Sequence, residues 1–495
     1  MDSIPESKLR KRNRWIKLAV IALVLAAAIT AAFWPEPTYR PKPSQKVVEA
    51  VFAAQKAMEG YTDDTTMVFA DPVVETEICK MLGKDKGTVT VRDMRGIRTF
   101  TYLDVQQIET LEDFRYCENL ESLEASHQRI DNLESLRGLK KLNMIDLSSN
   151  DIADLSPLAK MESLHTLFVP LNPIKSIEGL RGHKGLITID IRWCPVTDIS
   201  PLEGMGTLQS FAMGDHQLDN SFIARLFRSF QPSGSQPFRG RGSQDNPWEY
   251  DLSVLKGTDR LMHFSLIGKP KDITPLLGQK KLEQVALEGL EHKDFAALLD
   301  NCKELESISI ESSSIKLSSL ASLGEKVQGL FISNSDIISD ASTLPCPSSL
   351  RYMTISSCNL NDVSVLAGLT KLESLSIINS GINDISPLAE LKSLNTLYLQ
   401  MNQIRDITPL AGLKDLKYLD LQGNIIKDIK PLRELKALKN LDLRANIVRD
   451  FTPLLDLPAL KSLHIADNPY TVDDRSTADD VFEKLAKHGC NVEKK

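Results

Sequence analysis

One stretch of the sequence aligns with itself every 22 residues, and this repetition constrains the fold more than any other feature. Between Leu391 and Asn468, the pattern L-x-x-L-x-x-L-x-L-x-x-N-x-I-x-D-I-x-P-L recurs with its spacing kept. An asparagine marks each row, at Asn402, Asn424, Asn446 and Asn468. One row is too short to bury its own apolar face, whereas stacked rows share a continuous core. The sequence therefore predicts a solenoid of stacked coils.

Each row contains the signals for one coil. Leu419 and Leu421 alternate with polar neighbours, which predicts a short strand with one buried face. Asn424 ends that strand, and we expect its amide to satisfy backbone groups of the turn and of the neighbouring coil. Thr408 and Pro409 suit the N-cap and first position of a helix. Since few residues remain, we predict a short helix or 3₁₀ turn as the return, and a parallel sheet on the concave side.

A helical segment precedes the repeats. Asp71 and Pro72 suit the start of a helix that ends at Gly83, and a V-T-V-R-D-M turn follows. Together with the 22-residue period and the D-I-x-P-L returns, this segment resembles the leucine-rich repeat proteins typified by the bacterial internalins. The resemblance implies an α/β leucine-rich repeat solenoid with a curved parallel sheet, short helical or 3₁₀ returns and a helical cap that covers the first coil.

We divide the chain by these patterns. The predicted segments are a basic tail (1–17), a transmembrane helix (18–34), a proline-rich stalk with a short helix (35–65), a helical cap (66–115), a first repeat array (116–218), an inserted loop (219–258), a second array (259–470) and a C-terminal cap (471–495).

The N-terminal segments predict the location of the chain. Residues 1–17 are basic, and residues 18–34 contain no charge. As a helix this run spans about 25 Å, close to the ~30 Å of a bilayer core, with Trp15 and Trp34 as interfacial anchors. The positive side is expected in the cytoplasm and the bulk in the periplasm or at the cell surface. A cleaved signal peptide, which would release a secreted protein, is the alternative; we favour the anchor because the run exceeds the usual signal core.

The period breaks between residues 219 and 258, in a stretch rich in Gly, Ser, Pro and Gln. A long insertion in a solenoid decorates one face and is often functional. Trp248 and Tyr250 are suitable anchors for a partner. The same rings could instead pack the segment back onto the repeats, and a partly ordered loop is the alternative for the whole insertion.

The predicted binding surface is the concave sheet face, where residues beside the strand leucines point outward. Late candidates are Tyr398, Gln400, Tyr418, Asp420, Asp442, Arg444 and His464. An earlier cluster contains Phe168 and Arg192 beside Asp190, with Trp193 at its rim. Tyr and Arg are enriched at binding hot spots. A solvated sheet face is the simpler interpretation of any single residue, whereas binding is favoured for the face as a whole.

The sequence contains no usable catalytic, metal-binding or cofactor-binding motif. The repeated Asp of D-I-x-P-L recurs at one slot, so a turn-capping role is expected. The seven cysteines cannot all pair, Cys194 and Cys358 occupy the Asn slot, and a disulfide between Cys79 and Cys117 stays open. The net charge of −7 does not favour nucleic acid.

Three functions follow as hypotheses. The first is a membrane-anchored extracytoplasmic protein without catalysis that binds an unknown protein in adhesion, scaffolding or sensing. The second is a binder of cell-surface glycan or peptidoglycan that uses Tyr and Trp as stacking platforms. The third and weakest is a hydrolase with a site in the insertion, which contains Ser but no His between residues 219 and 258.

Overall fold

The computed structural model describes residues 62–104, 106–214, 249–339, 349–360, 362–469 and 472–494. The predicted tail, transmembrane helix and stalk helix, and residues 219–248 of the insertion, lie outside these ranges. Within the described ranges, no helix is long and apolar enough to cross a membrane. The chain forms two compact units, of which the first includes residues 62–185 and 191–195. The second includes residues 186–190, 196–214 and everything described from 249 onward.

The first unit begins with two helices and continues as parallel coils. The helices are α1 (Pro72–Leu82) and α2 (Val91–Gly96). The strands are β1 (Thr99–Tyr102), β2 (Ser122–Ala125), β3 (Met144–Asp146) and β4 (Thr166–Phe168). The returns are 3₁₀ helices at Glu112–Tyr116, Glu134–Leu136, Ser156–Leu158 and Glu178–Leu180. Because β1 already pairs with β2 in parallel, the coils begin inside the segment that the sequence assigns to the cap.

Two buried carboxylates tie α1 to the first coil. Asp71 caps α1 by accepting from the amides of Val73 and Val74, and it also accepts from the amide of Glu109 at 2.8 Å. Asp113 accepts from the amides of Ala70 and Asp71. Burial raises the pKa of Asp113 to about 7, against the lowering effect of these two hydrogen bonds. The predicted Asp71 cap and the left-handed Gly83 end of α1 are confirmed.

The second unit consists mainly of parallel strands. Its helices are α3 (Thr274–Leu277), α4 (His292–Asn301) and α5 (Val472–Lys487). Its strands are β5 (Thr188–Asp190), β6 (Ser210–Gly214), β7 (Glu249–Tyr250), β8 (His263–Ile267), β9 (Lys269–Pro270), β10 (Gln284–Glu288), β11 (Ser307–Glu311), β12 (Ser314–Lys316), β13 (Gly329–Ser333), β14 (Asp336–Ile338), β15 (Tyr352–Ser356), β16 (Ser374–Ile378), β17 (Thr396–Tyr398), β18 (Tyr418–Asp420), β19 (Asn440–Asp442), β20 (Ser462–His464) and β21 (Asn491–Glu493). Further 3₁₀ returns lie at Ser200–Leu202, Leu252–Leu255, Leu317–Ser322, Ser364–Leu366, Ser386–Glu390, Thr408–Gly412, Lys430–Glu434 and Thr452–Asp456.

The main sheet of the second unit keeps equivalent residues of successive coils in register. From β5 to β21 the strands pair in parallel within one sheet. Strands β7 and β9, and strands β12 and β14, form two separate parallel pairs. Leu397, Leu419, Leu441 and Leu463 lie opposite one another and are buried. The core is therefore a continuous ladder of such leucines, as the repeat pattern predicts.

The repeated asparagine links each coil to the preceding one. The side-chain amide of Asn424 donates to the carbonyl of Leu399 in the preceding coil at 2.9 Å and to Leu421 in its own coil at 3.0 Å. Its oxygen accepts from the amide of Ile404 at 3.0 Å. The same arrangement recurs at Asn150, Asn172, Asn402, Asn446 and Asn468. The role predicted for this slot is confirmed.

The residue before each asparagine slot turns the chain out of the strand. It has a positive φ at Ser149, Leu171, Met401, Ala445 and Asp467 among others, and at Gly423. The amide of this residue donates to the next coil, as from Met401 to the Gln422 carbonyl at 2.8 Å. The left-handed conformation costs a side-chain-bearing residue about 1 kcal/mol or more, so this inter-coil bond helps to hold the corner.

The predicted Ser/Thr N-caps of the returns are wrong. Ile407 occupies the N-cap position of the 3₁₀ helix Thr408–Gly412, and no side chain caps it. Instead, Asp406 accepts from the amide of Thr408 at 2.8 Å. At Lys430, where the hydroxyl is missing, Asp428 makes the same bond at 2.9 Å. The Asp of D-I-x-P-L therefore caps the turn, as its fixed position predicts, and the hydroxyl is dispensable.

Three boundaries differ from the sequence expectation. Residues 249–258 are part of a coil, with β7 and a 3₁₀ helix, so the predicted insertion extends too far at its C-terminal end. The return after β10 is the ten-residue helix α4, longer than the predicted turn. At the C-terminus, the sequence predicts a helix from Asp479 to His488 and a final strand at Val492. Helix α5 begins earlier, at Val472, and Val492 lies opposite Leu463 in β21 as predicted.

The six cysteines within the described ranges are buried free thiols. Cys79 and Cys117 are free thiols, so no disulfide joins them. Cys194 takes the place of the asparagine and lies 3.2 Å from the carbonyl of Val169. Cys358 lies in the equivalent position, 3.3 Å from the carbonyl of Ser356. Burial raises the pKa of the Cys358 thiol, which favours the neutral form that this position needs.

We expect Asn424→Ala to destabilise the late coils by about 3 kcal/mol, because it leaves several buried backbone groups without a partner. Asn424→Ser should cost less, since Ser313 in the equivalent slot still accepts from the amide of Leu290 and donates to the carbonyl of Glu311. Urea unfolding and amide hydrogen exchange of the two variants measure the difference. Equal destabilisation by Ala and Ser would contradict a hydrogen-bonding role.

Candidate functional site

Two outward rows of side chains cross strands β17 to β20. Parallel pairing places Tyr398 opposite Asp420, Asp420 opposite Asp442, and Asp442 opposite His464. The second row consists of Thr396, Tyr418, Asn440 and Ser462. Adjacent strands lie about 4.8 Å apart, so neighbours in a row can touch. The structure therefore brings the late candidate residues together, and we call this region the late face.

Asp420 is the most perturbed group of the late face. Its side chain accepts from the Gln400 amide nitrogen at 2.7 Å and from the backbone amide of Gln422 at 2.9 Å. Only 7% of Asp420 and 4% of Gln400 is exposed. Burial, and then the neighbouring Asp442, raise the pKa of Asp420 to about 7. Gln400 and Asp420 are therefore less available to a partner than their outward positions predict.

A hydrogen bond of the Gln400 amide explains how a neutral Asp420 would be accommodated. The oxygen of this amide is buried without a hydrogen-bond partner. Amide orientations are assigned from hydrogen bonding, and the two ends are nearly isosteric. After a flip of the amide, a protonated Asp420 would donate to this oxygen. One of the two ends of the Gln400 amide can thus pair with Asp420 in each protonation state.

Arg444 is committed to a neighbouring carboxylate. Its guanidinium donates to both oxygens of Asp442, with Nε 2.8 Å from Oδ2, and it also contacts the Gln422 side-chain oxygen at 3.3 Å. The hydrogen bond with Asp442 raises the pKa of Arg444. The arginine therefore neutralises one carboxylate of the late face, and it is a weaker candidate for a direct partner contact than the sequence indicates.

The two tyrosines are accessible side chains of the late face. Tyr418 is 43% exposed, and Tyr398 is partly exposed on the next strand. Burial, followed by the Asp420 and Tyr418 charges, raises the pKa of Tyr398, so its hydroxyl stays protonated. Aromatic rings that are half exposed and held by their neighbours lose little entropy on binding.

His464 connects to two groups that sequence reasoning did not single out. Its Nδ1 lies 3.1 Å from Glu493 Oε2, and its Nε2 lies 3.1 Å from the Ser462 hydroxyl. Glu493 comes from β21, beyond the end of the repeat pattern. The prediction that Val492 continues a final strand already contained the signal, because it places Glu493 opposite His464.

The earlier candidate residues differ in their exposure and in the unit to which they belong. In the first unit, the Arg192 guanidinium lies 5.2 Å from the centre of the Trp193 ring, and Phe168 is partly exposed at the end of β4. Asp190, which the sequence grouped with them, belongs to the second unit. Tyr250 is 2% exposed, so it packs back onto the repeats and is not a surface anchor. Trp248 lies outside the described residues.

The first unit contains an acidic pair that the sequence analysis missed. Glu124 lies opposite Asp146, and burial followed by the charge of Asp146 raises the pKa of Glu124. Asp146 accepts from the amide of Ser148 at 3.1 Å, as Asp420 and Asp442 do from the amides two residues later. The shared L-D-L or I-D-L position was the available signal. It indicates a structural role for these aspartates first.

No group of three or more His, Cys, Asp or Glu side chains is arranged to hold a metal ion within the described part of the chain.

We expect Asp420 to make stability depend on pH. Its folded pKa of about 7 exceeds the unfolded value of about 4, so the stability it contributes is present below pH 4 and is lost as pH rises through 7. Relative to Asp420→Asn, the native protein should lose on the order of 3 kcal/mol between pH 4 and pH 8. Urea unfolding of both proteins across this range measures the effect, and the shared contribution of Asp113 cancels. Parallel pH profiles would contradict the raised pKa.

Comparison with known proteins places these coils in a recognised class. A family model of leucine-rich repeats (two copies) matches residues 392–434. No curated protein sequence matches the chain. A leucine-rich repeat protein from Leptospira interrogans has a similar solved structure, with a TM-score of 0.55 and 15% identity over 81% of this chain and 97% of that one.

Another solved structure is an internalin from Listeria monocytogenes, with 22% identity, a TM-score of 0.44 and coverage of 86% of this chain and 95% of that one. The repeat match, the Leptospira structure and the capped parallel coils agree on the fold. Residues 392–434 match the leucine-rich repeat family, and the chain has a leucine-rich repeat fold.

Proposed function

We propose that this chain is a single-pass membrane protein whose extracytoplasmic repeats bind another protein through the exposed face of the main sheet. Leucine-rich repeat proteins are generally interaction modules, and this supports the binding part of the proposal. The basic residues 1–17 and the uncharged residues 18–34 support the membrane anchor and its orientation. Adhesion, scaffolding and sensing are all consistent with such a module.

One observation carries the binding proposal, namely the two tyrosines on adjacent strands of the late face. Tyr398 and Tyr418 lie on β17 and β18, beside carboxylates that are already held by internal bonds. Tyrosine is enriched at hot spots because it combines a large apolar surface with a polar tip. The rings are therefore the residues whose removal should affect a partner most.

A glycan is the second candidate ligand. A glycan would stack on Tyr and Trp rings, but Tyr250 is buried. Stacking would therefore depend on Tyr398 and Tyr418, which also carry the protein proposal. Competition with purified glycans separates the two ligands, because a protein partner would resist it.

The hydrolase hypothesis placed its site in residues 219–258, of which residues 219–248 lie outside the described ranges. Elsewhere, in the main sheet, Ser462, His464 and Glu493 have the distances of a nucleophile, a base and an orienting carboxylate. However, the amide of Ser462 already donates to the carbonyl of Lys439. It is therefore not available to stabilise an oxyanion, the contribution that is usually largest in acyl transfer. We therefore favour a binding role for this part of the sheet.

We expect the full chain, expressed in its source organism, to stay in the membrane fraction after alkaline carbonate extraction. Added protease should digest the repeats in cells whose envelope has been opened but whose cytoplasmic membrane is intact. Immunoblotting with a C-terminal tag measures both, and a cytoplasmic protein of the same cells is the control. Recovery of the chain in the carbonate supernatant, or a protected tag, would contradict the proposed anchor.

We expect Tyr398→Ala/Tyr418→Ala to reduce capture of the native partner at least about tenfold, since hot-spot tyrosines contribute more than 1.4 kcal/mol. The measurement is cross-linked affinity capture with the tagged full chain, quantified by mass spectrometry. Met401→Ala/Ile447→Ala is the matched control, because it removes two exposed apolar side chains that lie outside the strands. Equal capture by the tyrosine variant, with unchanged thermal unfolding, would exclude these rings from the binding site.

A further inference from the structure

Across the central strands of the main sheet, the outward face is uncharged except at Glu288 and Glu311, the last residues of β10 and β11. The first and third residues of β10, β11, β13, β15, β16 and β17 face outward, and none of these side chains is charged. The alternate residues between them, such as Leu330, Met353 and Leu375, are buried. Since a quarter of the whole chain is charged, this absence distinguishes the region from the rest of the surface.

Four aromatic side chains frame this face in a regular arrangement. In one row, Phe331 and Tyr398 are separated by Thr354 and Ser376. In the other row, Tyr352 and Tyr418 are separated by Ser374 and Thr396. Each aromatic pair is thus three strands apart, or roughly 14 Å at ~4.8 Å per strand. We call the hydroxyl-bearing floor and its aromatic walls the trough.

The depth of the trough follows from side-chain size and burial. Tyr352 and Tyr418, which form the walls of one row, are 45% and 43% exposed. Between the walls, Ser376 is only 7% exposed, and the other floor residues are partly exposed. Rings about 6 Å long therefore stand beside hydroxyls that end one or two bonds from the backbone.

A glycine positions one wall. A Cβ added to Gly329 would lie 2.9 Å from Cε2 of Phe331, so this ring lies against the backbone where a side chain is missing. Glycine within a strand often marks such a close approach. Gly329 pairs directly with Tyr352 on the next strand. The absent side chain thus leaves room for the Phe331 ring at one edge of the trough.

We propose that the trough holds one uncharged segment of the protein partner, such as a loop, running along the strands. This inference rests on the proposed function and specifies its site. A floor of hydroxyls without a charged side chain offers no counter-ion, so burying a charged partner side chain there is costly. Hydroxyls can both donate and accept, and they therefore suit backbone and amide groups of the partner.

Composition and size favour a protein segment as the occupant. Tyr, Ser and Gly are the residues that antibody loops use to bind proteins, because rigid rings provide area and hydroxyls adapt their hydrogen bonds. The separation of the walls matches one polypeptide element, since a single helix with its side chains is about 10–12 Å wide. A flat protein surface would contact the rings and leave the floor empty.

The charged groups lie at the borders, as in the polar rim of an interface. Arg351 and Glu373, which precede β15 and β16, pair with each other at 3.4 Å. Asp420 and Asp442 lie just beyond the Tyr398 wall, and Arg444 neutralises only one of them. A partner segment that is uncharged where it meets the floor would fit the trough and leave these charged groups at its border.

The test uses a phage-displayed library of disulfide-closed peptide loops, selected on the full-length protein in detergent. We expect the enriched loops to lose at least tenfold in affinity for Tyr352→Ala and for Ser374→Lys. Gln284→Lys is the matched control, because it places the same charge in the same row but outside the walls. Alanine scanning of the loops should identify uncharged contact residues, and thermal unfolding checks that each variant is folded.

Several outcomes would overturn the proposal. Enriched loops that bind the Tyr352 and Ser374 variants as tightly as the native protein would exclude the trough. Loops that bind the trough through charged residues would exclude an uncharged segment as its occupant. Tight binding of chitohexaose that is lost in Tyr352→Ala, without enrichment of loops, would make the occupant a neutral glycan.

The failure of this inference is distinguishable from that of the proposed function. A native partner whose capture depends on Tyr398 and Tyr418 but not on Tyr352 or Ser374 would overturn the trough and leave the function standing. If the enriched loops bind the trough but the native protein captures no partner, the trough stands and the proposed function is contradicted.

Discussion

The hydrogen bonds from each asparagine slot to the preceding coil are the interaction on which the rest of this structure depends. Strand pairing joins successive coils only within the sheet. After each strand the chain enters a turn, and the backbone groups of that turn have no strand to pair with. Asn424 satisfies these groups in two coils at once, from a position that is almost completely buried. A buried amide without such partners would destabilise the fold, so this residue both requires and enforces the stacking.

The same constraint explains which substitutions the slot accepts. Serine and cysteine replace asparagine at Ser313 and Cys358, where a shorter side chain still reaches a nearby carbonyl. The left-handed residue before the slot keeps its inter-coil bond whichever residue follows it, as at Ser357 and Met401. Irregular coils therefore stay in register with regular ones, and outward side chains remain aligned across strands of different length.

Alignment across strands converts a repeated sequence into a surface whose character changes along the sheet. The central strands carry hydroxyls and aromatics, whereas the last strands carry carboxylates held by Gln400 and Arg444. Hydrogen bonding within the late face limits what Asp420 and Asp442 can offer a partner. Tyr398 and Tyr418 lie at the border between the acidic region and the uncharged region, so a partner bound to either region would contact them.

The sequence by itself determined the coil, because its period, its alternating leucines and its asparagine slot are local signals that depend on residues close in the chain. It also determined the role of the turn aspartates and the capped helix at Asp71. Only the tertiary structure decided which polar residues are accessible, since the burial of Gln400, Asp420 and Tyr250 depends on neighbouring coils. It alone revealed that Phe331 and Tyr398, far apart in the chain, face each other across two strands. The physical reason is that a parallel register brings equivalent positions together, and no single repeat contains the information on what its neighbours place beside it.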